Sequence, residues 1–229
     1  MSNSNKNMTP DYVYCSGPLF CPEERGGMLA MAHVLEEAGY GTFLPQRDGI
    51  EALVMKYVNS PLNINIFKSR NFIDRAIFAL DVYQIMARCD YLVFNMNGRV
   101  PDEGGVVETA LAYAAGKPIV LYKNDARSVF KGRDNSMLIG LSYSNLVRDL
   151  KRIPDELKRV SNVLEKLGKL PDQGVHGPPA MRNTINLGQK IWQIMESMKF
   201  QHHKKKSGSD LVEEISLLCE NHPEIMVQD

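Results

Sequence analysis

Residues 11–144 predict an α/β fold, a doubly wound parallel sheet of about five strands, and residues 145–229 predict an α-helical extension to it. Three observations carry this prediction. From Asp11 onward, short β-rich runs alternate with longer helical ones, which is how a parallel sheet covered by crossover helices reads in sequence. The run Pro118 to Tyr122 is almost wholly apolar, as a strand buried on both faces must be. Beyond Ser144 the strand-like runs stop, and long amphipathic stretches replace them.

Tyr12 to Cys15 reads as the first strand, closed by Ser16-Gly17-Pro18; Pro22 to Ala38 is a helix stopped by Gly39. Tyr40 to Leu44 is the second strand. Phe72 to Arg88 is a helix with an apolar face of Ile73, Ala76, Ile77, Leu80 and Ile85, and Asp90 leads into a third strand, Tyr91 to Asn95. A loop over Met96 to Gly105 precedes an alanine-rich helix, Val106 to Ala115, ending at Gly116. Pro118 to Tyr122 is the fourth strand, and Ile139 to Tyr143 is the candidate fifth. The sum is a sheet of flavodoxin-like or Rossmann-like kind. In the extension, Leu146 to Leu167 and Asn183 to Phe200 read as helices separated by the loop Pro171 to Pro179. The stripe Leu146, Leu150, Ile153, Leu157, Val160, Val163, Leu164 and Leu167 is amphipathic and suits packing across a subunit interface. His202 to Lys206 reads as a solvated basic linker.

Of 229 residues, 44% are hydrophobic, so the chain can bury a real core, and 27 basic groups balance 27 acidic ones. Zero net charge removes the footprint of a nucleic-acid binder and favours an uncharged small-molecule ligand. The balance has structure: residues 1–144 carry a net charge of −1, residues 145–206 of +7 and residues 207–229 of −6, so the basic and then acidic parts of the extension can pair within or between chains. Cys15, Cys21, Cys89 and Cys219 show neither metal-ligand spacing nor a disulfide framework, which fits a reducing cytoplasm and no metal or cofactor. Residues 1–10 are polar and read as a disordered segment, neither signal peptide nor anchor, and no run approaches the roughly 20 apolar residues of a membrane span.

In an open parallel sheet, ligands bind at the carboxyl ends of the strands. After strand one, Gly17 permits close backbone approach and Phe20 follows; after strand two comes Pro45-Gln46-Arg47-Asp48-Gly49, whose Gln46 and Asp48 offer donors and acceptors placed to read a ligand. The strongest signal is Pro101-Asp102-Glu103-Gly104-Gly105-Val106-Val107-Glu108, with two carboxylates six residues apart around a Gly-Gly pair. Spacing places Glu108 in about the first helical turn, where the macrodipole would hold it ionised and competent as a nucleophile; it equally allows an ordinary first-turn charge. Asp81 interrupts an apolar helix face, so it is either a carboxyl of raised pKa that donates a proton or an ion-pair partner of Arg75 or Arg88.

Together these residues resemble the nucleoside 2-deoxyribosyltransferase family. The resemblance runs through Tyr14-Cys15-Ser16-Gly17-Pro18-Leu19-Phe20, Leu44 to Gly49, Asp81, Asp90 to Asn95, Pro101 to Glu108 and Ala112 to Pro118, covering roughly residues 12 to 142. It implies exchange of one nucleobase for another on 2-deoxyribose with retention. Glu108 is implied as the nucleophile of a covalent deoxyribosyl-enzyme intermediate, Asp81 as proton donor to the base, Tyr14 as the group orienting Glu108, and Asp102 as a sugar and base ligand. Asn135-Ser136-Met137 resembles an element donated from a neighbouring subunit to complete the sugar pocket, which implies a homodimer or higher oligomer. Related 5'-monophosphate hydrolases carry serines at the positions of Asp102 and Asn135, so Asp102 favours a free nucleoside. Hydrolysis through the same Glu108, and a non-catalytic nucleoside sensor, are the alternative readings.

Overall fold

The computed structural model describes residues 10–52, 70–98, 100–127, 134–143, 146–170, 178–200 and 208–225. The N-terminal segment 1–9 and the basic run at 202–206 lie outside the described residues. Four parallel strands, β1 (Tyr12–Ser16), β2 (Gly41–Phe43), β3 (Tyr91–Asn95) and β4 (Ile119–Tyr122), form one sheet in the order β2-β1-β3-β4. Tyr14 pairs with Phe43 on one side and Leu92 on the other, and Val93 with Val120. The chain runs outward from β1 first toward β2 and then, through β3, toward β4. The order therefore reverses between β1 and β3, at whose carboxyl ends Ser16 and Asn95 lie.

Strand periodicity sorts the core. Val13, Cys15, Val93, Val120 and Tyr122 face one way, covered by α1 (Pro22–Glu37) through Met28, Met31, Ala32 and Leu35, and by α6 (Ile153–Lys166) through Ile153, Leu157, Val160 and Leu164. Tyr14, Phe43, Leu92, Phe94, Ile119 and Leu121 face the other way, toward α3 (Arg70–Tyr83) and α4 (Glu103–Ala114). Two C-terminal helices, α7 (Arg182–Phe200) and α8 (Gly208–Glu220), enter that second core through Leu187, Ile191, Trp192, Leu211 and Ile215. The short α2 (Pro45–Asp48) and α5 (Ser136–Ile139) follow β2 and β4.

Three expectations are corrected. Ile139 to Tyr143 is not a strand: Asn135 caps α5, Gly140 ends it, and among the described residues the place beside β4 holds a parallel bridge between Tyr122 and Val147. The amphipathic stripe expected to face another subunit closes the sheet's own face as α6, because four of its residues fall on one helical side over a bare strand surface. The helix expected to begin at Val106 begins at Glu103, since the Asp102 carboxylate accepts the Gly105 N–H at 2.7 Å and starts the helix ahead of the two glycines. Gly105 is required there: a Cβ would fall inside the Phe94 ring, so only glycine lets α4 approach β3 this closely.

α3 does not run straight into β3. Its last turn, Gln84–Arg88, is π-helical, closed by Cys89 N–H on the Gln84 carbonyl at 2.7 Å. The Arg88 guanidinium then lies over both the Tyr12 ring (4.0 Å) and the Trp192 ring (4.5 Å), joining β1 to α7. Gly188 of α7 lies directly on the Ala79 carbonyl of α3, and a Cβ there would overlap that oxygen. Gly188→Ala improves helix propensity by about 1 kcal/mol, so on a free helix it would stabilise. Here it should instead destabilise by about 1–3 kcal/mol through overpacking, read as a lower urea midpoint; a raised midpoint would show that α7 does not rest on α3.

Candidate active site

Tyr14 and Ser16 are two residues apart on β1, so both side chains leave the same face of the sheet near its carboxyl edge. Glu108 lies in the second turn of α4, brought over that edge by the close approach at Gly105. The Tyr14 hydroxyl donates to Glu108 Oε1 at 2.8 Å and the Ser16 hydroxyl to Oε2 at 2.6 Å, so both carboxylate oxygens are held. Gly17 then turns the chain away with φ +147°, a conformation open to glycine, and a Cβ there would press on the Met28 sulfur and on Asn95. Tyr14 is itself fixed by stacking on Phe43, with ring centroids 5.4 Å apart, and Phe43 meets the edge of Trp192.

Asp81 reaches the same place from α3, within hydrogen-bonding reach of the Tyr14 hydroxyl. Its Oδ1 is buried with no hydrogen-bond partner. The ion pair considered for Asp81 is absent among the described residues. Arg75 donates to the Cys219 carbonyl, and Arg88 lies on the two aromatic rings. Glu51, in a helical segment following α2, is a fourth member that the sequence did not single out, and its Oε2 is likewise buried and unpartnered. Asp81 and Glu108 keep part of their surface accessible, as groups that meet a ligand must, yet are packed closely on most sides.

The electrostatics follow from removing these acids from water. Glu108 is raised to about 7, first by burial; hydrogen bonds from Ser16 and Tyr14 oppose the rise, and the charges of Glu51 and Asp102 add to it. This corrects the expectation that the helix N-terminus holds Glu108 ionised: the first-turn position belongs to Glu103, and burial outweighs the helix field at Glu108. Asp81 is raised well above the usual carboxylate range by burial and then by the charges of Glu51 and Glu108, which favours its protonated form. Burial also raises Glu51. Tyr14, raised by burial and by Asp81, Glu108 and Glu51 in turn, stays a donor.

The other expected residues are placed less centrally. Asp102 is the cap of α4, and Gln46 donates its amide to the Arg25 carbonyl at 2.9 Å while its Oε1 is buried without a partner. Asp48 turns its carboxylate to the Leu44 N–H and the Arg47 guanidinium. Phe20 is 79% exposed, with its backbone N–H held by Glu24. Asn135 accepts the Met137 N–H as the cap of α5, and Met137 is 80% exposed, so both face solvent in the single chain. The buried Lys123–Asp134 ion pair fixes the start of that helix to the end of β4. Of the residues that reasoning from sequence missed, Ser16 had a signal in its two-residue offset from Tyr14. Glu51 had one as an acid set in the apolar run Ile50 to Met55. Among the described residues no acidic, histidine and cysteine cluster could hold a metal, and no helix is long and apolar enough to cross a membrane.

A parallel sheet with a carboxylate clamped at the switch point and a second acid of raised pKa beside it is an arrangement suited to a small ligand at the carboxyl edge of the strands. The sequence profile of the nucleoside 2-deoxyribosyltransferase family matches residues 13–170, more than half of the chain, and the protein belongs to that family. No curated protein matches it. Among solved structures it is similar to a conserved protein from Enterococcus faecalis V583, with 22% identity, a TM-score of 0.49, and 66% of this chain and 99% of that one covered. A 2-deoxyribosyltransferase from Bacillus psychrosaccharolyticus follows, with 18% identity, a TM-score of 0.43 and coverage of 71% and 98%. A 2-desoxiribosyltransferase from Leishmania mexicana shows 15% identity, a TM-score of 0.38 and coverage of 66% and 98%.

The raised acids have a cost in stability whose sign is definite. Glu108 titrates near 4.5 when unfolded and near 7 when folded. The folded state therefore binds the proton more tightly, and the stabilisation is full below pH 4.5 and lost as pH rises through about 7. The neutral isostere Glu108→Gln should raise the thermal midpoint at pH 8 by several degrees, corresponding to at most about 3 kcal/mol, and change it little at pH 5. Equal midpoints for the two proteins at pH 8 would contradict the burial cost.

Proposed function

We propose that the protein exchanges the nucleobase of a 2'-deoxyribonucleoside for a free base, with retention, through a deoxyribosyl ester on Glu108. The observation that carries this reading is the Glu108 carboxylate held by the Tyr14 and Ser16 hydroxyls, next to an Asp81 whose burial favours the protonated form. A Glu108 oxygen attacks the anomeric carbon as the glycosidic C–N bond breaks. The bonding pair leaves with the base, and Asp81 supplies a proton to a ring nitrogen, N7 in a purine, so that the base departs neutral. Tyr14 and Ser16 orient the nucleophile. They also keep its basicity low enough that the ester can break again. A second base entering with its ring N–H returns the proton to Asp81 and takes the sugar, and inversion twice gives retention.

Asp102 retains a carboxylate oxygen beyond the one that caps α4, and this is our candidate for the sugar hydroxyl. Gln46, Asp48, Gly17 and Phe20 border the base and sugar. Asn135 and Met137, turned to solvent in one chain, complete the site of a neighbouring copy in a homo-oligomer. The substrates are thus a nucleoside and a free base, in a salvage role.

Incubation with deoxyinosine and adenine should yield deoxyadenosine, and Glu108→Ala should abolish it without loss of fold. Trapping should show a deoxyribosyl mass on Glu108. Production of free deoxyribose and hypoxanthine alone would replace transfer by hydrolysis, and a fully active Glu108→Ala protein would remove the assignment.

The rate should fall below pH about 7 as Glu108 takes up a proton. Tyr14→Phe removes a hydrogen bond that favours the ionised form, so this acid limb should move to higher pH. A limb that stays in place or moves down in a plot of log kcat/KM would separate Tyr14 from the nucleophile.

A further inference from the structure

Three buried oxygens around the site have no hydrogen-bond donor: Asp81 Oδ1, Glu51 Oε2 and Gln46 Oε1. Buried acceptors left open are costly, on the order of 1–3 kcal/mol each, and a group of them at the carboxyl edge of a sheet is what a ligand rich in N–H donors would satisfy. Asp81 and Gln46 already have parts in the proposed reaction. Glu51 has none, although it stands among its members: its charge acts on Tyr14, Asp81 and Glu108 alike. Its carboxyl is also given room by the backbone, because Oε2 lies where a side chain at Gly49 would be.

We infer that Glu51 is a specificity residue of the base site, accepting the exocyclic amino group that flanks the ring nitrogen served by Asp81, so that the enzyme takes bases bearing an amino group at that position. The inference rests on the exchange reading above. Asp81 gives a proton to the ring nitrogen of the departing base and takes one back from the entering base, while Glu51 offers an acceptor beside it in both steps. Adenine presents the complement of that pair, with N7 for the proton exchange and the N6 amino group as donor. Hypoxanthine presents N7 beside a carbonyl oxygen, which would face the Glu51 oxygen with no hydrogen between them. Burial raises both acids, and the buried, unpartnered Oε2 of Glu51 is the oxygen free to accept. A site built to bind an N–H group discriminates strongly against an isostere that lacks it, because its own buried oxygen is then left unpaired.

The test is a competition in one tube between isotopically labelled adenine and labelled hypoxanthine at equal concentration, with deoxyinosine as common donor and the full chain as enzyme. The initial ratio of labelled deoxyadenosine to labelled deoxyinosine is insensitive to the donor step and to any unfolded fraction. Wild type should favour adenine by about tenfold or more. Glu51→Gln, whose amide can donate to a carbonyl, should bring the ratio close to one. A wild-type ratio near one, or a ratio unchanged by Glu51→Gln, overturns the inference while the exchange reading stands. Should neither base be deoxyribosylated, the exchange reading fails. Calorimetric binding of the two free bases to wild type and to Glu51→Gln then decides the inference by the same ratio: an adenine preference lost in the variant supports it, and equal binding overturns it.

Discussion

The constraint on which the site depends is the placement of one carboxylate, Glu108, away from water with only two hydroxyls to hold it. A buried carboxylate is tolerable only where donors meet its oxygens, and the surrounding structure supplies them in a fixed geometry. β1 sets Tyr14 and Ser16 on one face at its carboxyl end. The absence of a side chain at Gly105 lets α4 come down on Phe94, and the Asp102 cap settles where α4 begins, hence which residue of its second turn reaches β1. A shift of one residue in that start would turn Glu108 about 100° around the helix and away from both hydroxyls. Gly105 is thus a packing requirement of the site's geometry.

Four ionisable groups share this small volume, and their protonation states are joint properties of the group. Burial raises all four; the charge of Glu51 raises Tyr14, Asp81 and Glu108 further, and that of Glu108 raises Tyr14 and Asp81. Burial opposes ionisation of all three carboxylates together, and the surroundings decide which keeps its charge. Glu108 has two hydroxyl donors that favour its anion. Asp81 is closely packed as well and has an oxygen with no donor. The same chemical group is thereby given two different tendencies to ionise by environment alone, as the proposed nucleophile and acid require. The cost appears as lost stability on the alkaline side, the usual relation between a functional site and the fold that carries it.

Much of this was legible in the sequence, and the exceptions have physical reasons. β3 lies at Tyr91–Asn95 as expected, and α1 ends one residue short of expectation, because an apolar strand after Asp90 and a helix stopped by Gly39 are local signals. Tyr14, Asp81 and Glu108 were legible as candidates, and they converge. Glu108's electrostatic state was not, because it depends on where α4 begins, and glycines that read as loop were taken into the helix by a side-chain cap and a close contact with β3. Ser16 and Glu51 were missed for a different reason. Each is ordinary in its own segment, a serine before a glycine and an acid in a helix, and only tertiary proximity to Glu108 gives it meaning. The fifth strand failed because Ile139-Gly140-Leu141-Ser142-Tyr143 alternates as a strand would, whereas the asparagine cap at Asn135 had already committed Ser136–Ile139 to a helix.

The C-terminal helices, which composition marks off from the rest of the chain, are part of the wall behind the site. Trp192 of α7 meets the edge of Phe43, Phe43 stacks on Tyr14, and Tyr14 holds Glu108. Arg88 binds the same tryptophan to Tyr12 at the start of β1. β2 is the edge strand and only three residues long, so Phe43 has sheet on one side only, and Trp192 of α7 adds to its cover. Without that cover, Phe43 would be open to water on the side away from Tyr14, and the tyrosine would lose the rigid surface that fixes its ring. Burial of Tyr14 also keeps its hydroxyl a donor, since solvent would lower the very desolvation that holds its proton. The extension therefore contributes to the state of Glu108 through two aromatic contacts, without coming near it in sequence. Its fixed position on α3 at Gly188 holds Asp81's helix and Tyr14's strand in one frame.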